Sequence, residues 1–257
     1  IWMVTASGVF ISISPLLGTW LHLQFGWQGS FYVFVALAIS AGSSACWLLK
    51  EPPAIRTASR GGFFSAYWHV CSNARFMAYW LISALAFACH FSFIVTSPTI
   101  FMEHLALSPY EYAWTLMLYG VAYASGGAVA NALQERLRGH TQIVVGLGLI
   151  AVSGVLMLWL IRHFGLSVAA VLVSMLICTI GTTITRPVVN NKAMSIHPQY
   201  AGTSTSVGAV LIFMGGGVTS VVINLVSGDL TTTLAIGFLT LSLAGLGLNA
   251  MIDHENQ

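Results

Sequence analysis

Charge is what this sequence has least of. Only 6% of its 257 residues are Asp, Glu, Lys or Arg, and 57% are hydrophobic; a soluble domain carries about a quarter charged residues. So few charges cannot cover a water-facing surface, because even large globular domains expose much of their chain. A soluble globule is excluded, and the composition reads as an integral membrane protein. The formal net charge is only +2, with no basic run and no alternation of basic and aromatic residues, which excludes nucleic acid as a partner. Cys46, Cys71, Cys89 and Cys178 are scattered singly, without a CxxC or a ligand-like spacing to histidine. That excludes a disulfide framework and a zinc site.

Catalytic patterns are missing as well. There is no His-x-x-x-His or Glu-x-x-His pair on an apolar span, no Gly-x-Ser-x-Gly, no Walker sequence, and no Asp or Glu at membrane depth. Intramembrane hydrolysis needs at least two cooperating polar groups in the bilayer. No catalytic residue, metal or cofactor is expected, and a membrane enzyme is the least favoured reading. An initiator methionine is lacking too: the chain opens on Ile1 with no signal-peptide pattern, and the expectation is a fragment whose beginning is missing.

What is present is apolar sequence in units of membrane thickness. A bilayer core takes about 20 apolar residues per helix, and runs of that size fall near 1–23, 30–49, 76–100, 110–132, 141–162, 167–187, 203–226 and 231–252. The fold class predicted is all-α, with eight transmembrane helices. Separators are short except at 50–75, KEPPAIRTASRGGFFSAYWHVCSNAR, which holds four of the nine basic residues and the helix-stopping pair Pro52-Pro53. The division is therefore 1–49, two helices; 50–75, a polar connector; and 76–257, a six-helix unit.

Alternating sides from the connector groups Lys50, Arg56, Arg60, Arg75, Arg136, Arg138, Arg186 and Lys192 on one face, with Arg162 alone on the other. Cytoplasmic loops are enriched in Lys and Arg, so the connector and both ends of the chain are placed in the cytoplasm. Ser108, Pro109 and Glu111 form a capping-box pattern at the start of the fourth span. Small residues recur as Gly120, Ala124 and Gly127, or Ser204, Gly208, Gly216 and Ser220, as expected where membrane helices approach closely. Asn131, Arg186, Asn190 and Asn191 read as cytoplasmic-end capping and headgroup contacts, and Glu103, His104 and Asp229 as solvated outer-loop residues.

An ionisable residue in the middle of a membrane span is a functional candidate by default, and His90 near the centre of the third span is the one counted. Helical spacing puts Ser83, Phe87, Ile94 and Ser97 on its face, with a bend at Thr96-Ser97-Pro98. Two readings stand for His90: a neutral imidazole tied to a neighbour in a packed bundle, or a group that contacts substrate or moves protons. Tyr112, Tyr119 and Tyr123 share a face of the fourth span; the last two are deep enough to line a cavity, beside the alternative of packing. The candidates for a substrate cavity or proton coupling are His90, Phe87, Ser97, Tyr119 and Tyr123.

Several stretches in order resemble a major facilitator superfamily transporter, in particular its bicyclomycin-resistance (Bcr/CflA-type) branch of drug:proton antiporters. Ser14-Pro15-Leu16-Leu17-Gly18 is similar to the antiporter signature of that superfamily's fifth helix, although Ser14 and Thr19 stand where glycine is usual. Gly26-Trp27-Gln28-Gly29-Ser30-Phe31 resembles the turn before its sixth helix, and Leu48-Leu49-Lys50-Glu51 that helix's end. Phe91-Ser92-Phe93 through Ser97-Pro98, with Leu107-Ser108-Pro109 and Tyr112, resembles the seventh and eighth helices; Pro198 with Ala201-Gly202-Thr203-Ser204 resembles the start of the eleventh. The superfamily's Gly-x-x-x-Asp-Arg element is not matched, since Asn131 follows Gly127 at that spacing.

The resemblance implies helices five to twelve of a twelve-helix fold, with the connector as its central loop. It implies proton-coupled export of lipophilic drugs or other small molecules across the cytoplasmic membrane, with Ser14, Pro15 and Gly18 as the antiporter-type motif. The implied partners are a small-molecule substrate, protons, membrane lipid and the four preceding helices of the same protein. A specific metabolite transporter and a non-transporting remnant are the alternatives.

Overall fold

In the computed structural model the chain is an all-helical membrane protein. It is described over residues 2–48, 63–226 and 229–254, the side chains of 2–9, 11, 12, 63, 135, 253 and 254 excepted. The long helices are α1 (Trp2–Phe25), α2 (Trp27–Leu48), α4 (Ala74–Pro98), α5 (Pro109–Arg136), α6 (Gly139–Phe164), α7 (Val168–Ile196), α8 (Ala201–Leu225) and α9 (Leu230–His254); α3 (Phe63–Cys71) is short. Of these, α2 and α4 through α9 are long and apolar enough to cross a membrane. The helix in the 1–23 run is present as α1, most of whose early side chains lie outside the described residues.

Local chemistry sets the boundaries. α1 and α2 meet at Gly26, whose φ of 69° turns the chain in one residue, a conformation that costs glycine little. Asn73 caps α4 by accepting from the Phe76 amide at 2.9 Å, so the helix begins at Ala74 and takes in Arg75, expected in the connector. The Ser108–Glu111 capping box forms: the Ser108 amide and hydroxyl donate to Glu111 Oε2 at 2.8 and 2.7 Å, and Ser108 Oγ accepts from the Glu111 amide at 3.3 Å. Ser108→Ala is therefore expected to destabilise the protein by about 1 kcal/mol, read as a lowered unfolding midpoint in detergent.

Two features differ from expectation. Residues 50–62 of the connector lie outside the described residues, but its end is helical: α3 buries Val70 while Phe64 and Trp68 stay 84% and 78% exposed. The other is α7, which runs to Ile196 although its apolar run stops at Pro187. Proline removes one helical amide, yet Val189 and Ala193 beyond it are fully buried, and that packing carries the helix on.

Within the bundle α4 packs on α7, α8 and α9; α6 lies between α7 and α9; α5 packs on α7 and on α1; and α2 packs on α1. Lipid offers no hydrophobic drive for helix pairing, so close approach and interhelical hydrogen bonds must supply it. Backbone meets backbone at Gly146 and Gly181: a Cβ on Gly181 would lie 2.5 Å from the Gly146 carbonyl oxygen. On α8, Gly208 leaves room for the Trp80 ring, where a Cβ would lie 2.4 Å from it. Polar bonds cross between helices as well. Gln142 Nε2 of α6 donates to Ala130 O of α5 at 3.1 Å and Ile184 O of α7 at 3.5 Å, and Thr182 Oγ1 of α7 to Ala86 O of α4 at 3.4 Å.

Candidate functional site

Three helices converge on one polar and aromatic cluster. α4 contributes Phe87 and His90, one turn apart; α5 contributes Tyr119 and Tyr123, also one turn apart; α7 contributes Arg186. Such spacings put each pair on one helical face. The Tyr119 hydroxyl is hydrogen-bonded to the His90 imidazole, and both residues are buried. The His90 ring lies 5.1 Å from that of Tyr119, 5.9 Å from Tyr123 and 5.9 Å from Phe87, with which it stacks. Phe87 also meets Phe91, stacked at 5.5 Å, and Phe213, edge-on at 5.7 Å.

Arg186 completes the group. Its guanidinium sits over the Phe87 ring at 4.8 Å from the centroid, a cation–π contact worth most where water is excluded. Phe87 thus contacts both the guanidinium and the imidazole. Below it lies a cavity of about 210 Å³ between α5 and α7, lined by Tyr123, Gly127, Thr182, Thr183, Arg186, Pro187 and Asn190. Reading Arg186 as a headgroup contact is corrected by this placement. Ten residues of helix follow it, about 15 Å along the axis, so it belongs with the cluster, where it is half-buried. A polar stripe at helical spacing, Thr182, Thr183, Arg186 and Asn190, was the available signal, masked by ending the span at Pro187.

Ser97 is not brought to the cluster. It lies two turns further along α4, about 10 Å up the axis, where Pro98 lacks the amide that would bond the Ile94 carbonyl. The Ser97 hydroxyl donates to that carbonyl at 3.1 Å, and Tyr112 Oη donates to Ser97 Oγ at 2.8 Å. Ser97 and Tyr112 thereby support the bend, after which the helix widens into a π-turn over Thr99–His104. Ser14, Pro15 and Gly18 lie on α1, whose main neighbours are α5 and α2; a Cβ at Gly18 would meet nothing within 4 Å. Asp229, expected to be merely solvated, caps α9 instead: its carboxylate accepts from Thr231 Oγ1 and Thr232 Oγ1, both at 2.6 Å. Partial burial works against ionisation of this carboxyl, but the threonine hydroxyls and amides outweigh it and hold its pKa below the ordinary value.

The sequence profile described as Major Facilitator Superfamily matches residues 1–221. The chain belongs to the major facilitator superfamily. Among curated members, this superfamily protein is 27% identical over 202 residues to the Multidrug resistance protein MdtL of Citrobacter koseri, covering 76% of this chain and 48% of that protein. It is 28% identical over 145 residues to the MdtL proteins of Salmonella typhimurium and Salmonella dublin, covering 56% of this chain and 36% of each. The chain thus spans about half, or less, of the length of these relatives. They support a superfamily member with a multidrug-efflux likeness; the bicyclomycin-resistance branch is an expectation that rests on the motifs alone.

Proposed function

We propose that the protein is part of a proton-coupled exporter of amphiphilic or lipophilic small molecules, working by alternating access in the cytoplasmic membrane. The observation that carries this is His90. It is a buried imidazole at mid-span, bonded to Tyr119 and ringed by Phe87, Tyr123 and Arg186 beside a cavity. Intramembrane ionisable groups of this kind mark substrate or proton paths. Aromatic walls with a few placed polar groups suit amphiphiles better than sugars. The likeness to MdtL proteins supports the same reading.

In that reading α1 and α2 belong to one half of a twelve-helix protein and residues 76–257 form the other; 50–75 is their cytoplasmic loop, and four further helices precede α1. Rocking of the halves would expose the cavity to each side in turn. The experiment is drug accumulation in cells that lack their own exporters and express the full-length gene. Accumulation is expected to fall on expression and to recover with a proton uncoupler. Equal accumulation with and without the protein would overturn export, and export insensitive to the uncoupler would overturn proton coupling.

Sidedness follows from the basic residues: with Arg186 set aside in the cluster, seven of the other eight fall on one face. A cysteine at Ser59, which lies outside the described residues, in a background without Cys46, Cys71, Cys89 and Cys178, is expected to resist an impermeant thiol reagent in intact cells. It is expected to react in inverted vesicles; labelling in intact cells would invert the topology.

A further inference from the structure

The cavity beside Arg186 has a charge that nothing in its own walls balances. Arg186 Nε is buried without a hydrogen-bond partner, and so is Asn190 Oδ1 one turn along the same face. Among the described residues no carboxylate is placed to answer the guanidinium. The acidic residues of the chain are Glu51, Glu103, Glu111, Glu135, Asp229, Asp253 and Glu255. Glu111 is engaged by Ser108 and Asp229 by Thr231 and Thr232, both outside the cluster. Glu103 lies in the wide turn after α4, Glu135 and Asp253 are in the last turns of α5 and α9, and Glu51 and Glu255 fall outside the described residues.

A buried cation is costly unless an anion or hydrogen-bond acceptors meet it. The Phe87 ring lies against the guanidinium and Nε has no partner, which leaves a donor for an acceptor such as a carboxylate, the group that arginine grips through paired N–H donors. Tyr123 lines the same cavity and can add a hydroxyl donor; the threonine methyls and Pro187 supply apolar wall.

We infer that this cavity recognises the anionic group of amphiphilic organic acids, with Arg186 as its specificity-determining residue and Tyr123, Pro187 and the threonine methyls holding the apolar body. This rests on the transport reading and deepens it, narrowing amphiphilic small molecules to anionic ones.

Three probes with one ring system test it: 2-naphthoate, neutral 2-naphthamide and cationic 2-naphthylmethylammonium. Binding to the purified full-length protein in phosphatidylcholine nanodiscs is measured by equilibrium dialysis at neutral pH. Naphthoate is expected to bind at least about tenfold tighter than the cation. Arg186→Gln should erase that preference while leaving naphthamide within about twofold, which also reports that the variant is folded; Arg186→Lys should keep part of it as a point charge.

Equal binding of the three probes by the unmodified protein overturns the inference whatever the variants do. So does tightest binding of the cation, the result if a carboxylate from elsewhere in the full-length protein pairs with Arg186. Loss of naphthoate binding when phosphatidylglycerol is added assigns the site to lipid headgroups and overturns it too. Efflux measured separately keeps the two readings apart: an anion preference without efflux rejects transport, and efflux without an anion preference rejects only this inference.

Discussion

His90→Ala in the full-length protein is expected to lower efflux about tenfold, because it removes the partner of a buried hydroxyl. An unpaired buried polar group costs about 1–3 kcal/mol, and here the stranded group is Tyr119 Oη, one turn from Tyr123 in the cavity wall. The stacked contact with Phe87 is lost in the same step, which frees the ring that carries Arg186. His90→Gln separates two roles. An amide can still take the Tyr119 bond but cannot titrate, so it should restore most of the efflux at one pH. It should also flatten the pH profile of efflux, since an amide cannot take up a proton. Unchanged efflux and an unchanged pH profile in His90→Ala would make His90 a packing residue.

Gly181→Val is expected to have the largest effect on stability. Its first side-chain carbon would lie 2.5 Å from the Gly146 carbonyl oxygen and 2.9 Å from Ile150. Backbone cannot rotate out of the way as the tip of a side chain can. Overpacking a core costs about 1–3 kcal/mol where side chains can adjust, and this contact would have to force α6 and α7 apart. Since α6 also packs on α9, the opening would spread through the bundle. Yield of monodisperse protein in detergent and its unfolding midpoint should both fall sharply. Gly217→Ala is the control: nothing lies within 4 Å of a Cβ there, and alanine favours helix over glycine by up to about 1 kcal/mol. Equal midpoints for Gly181→Val and the unmodified protein would show that the glycine contact contributes little to the bundle.

The helices were legible in the sequence because a bilayer leaves few options: spans must be apolar, helical and about 20 residues long. Their boundaries were legible where a side chain forms the cap, as with Ser108 and Glu111. They were misjudged where tertiary packing decides. Pro187 and the polar residues after it read as a helix end, yet Val189 and Ala193 are buried and α7 continues. α3 was hidden because the charges earlier in the connector dominated the reading, although Phe64, Trp68 and Val70 follow them.

The same error displaced one member of the candidate site. Phe87, His90, Tyr119 and Tyr123 are each a turn from a partner on their own helix, so periodicity grouped them in pairs, and the structure sets the pairs side by side. Arg186 reads as an end residue because Pro187 follows it directly. Ser97 was grouped with His90 by face alone; helical rise separates them, and Pro98 gives the serine a backbone task.

The central claim is that this buried cluster belongs to a proton-driven transport cavity, and reconstitution tests it most directly. Purified full-length protein in liposomes with an imposed acid interior should accumulate a fluorescent amphiphile, and an uncoupler should collapse the accumulation. Liposomes carrying His90→Ala should retain about a tenth of the rate. Accumulation no greater than in protein-free liposomes, or indifferent to the pH gradient, would contradict the account.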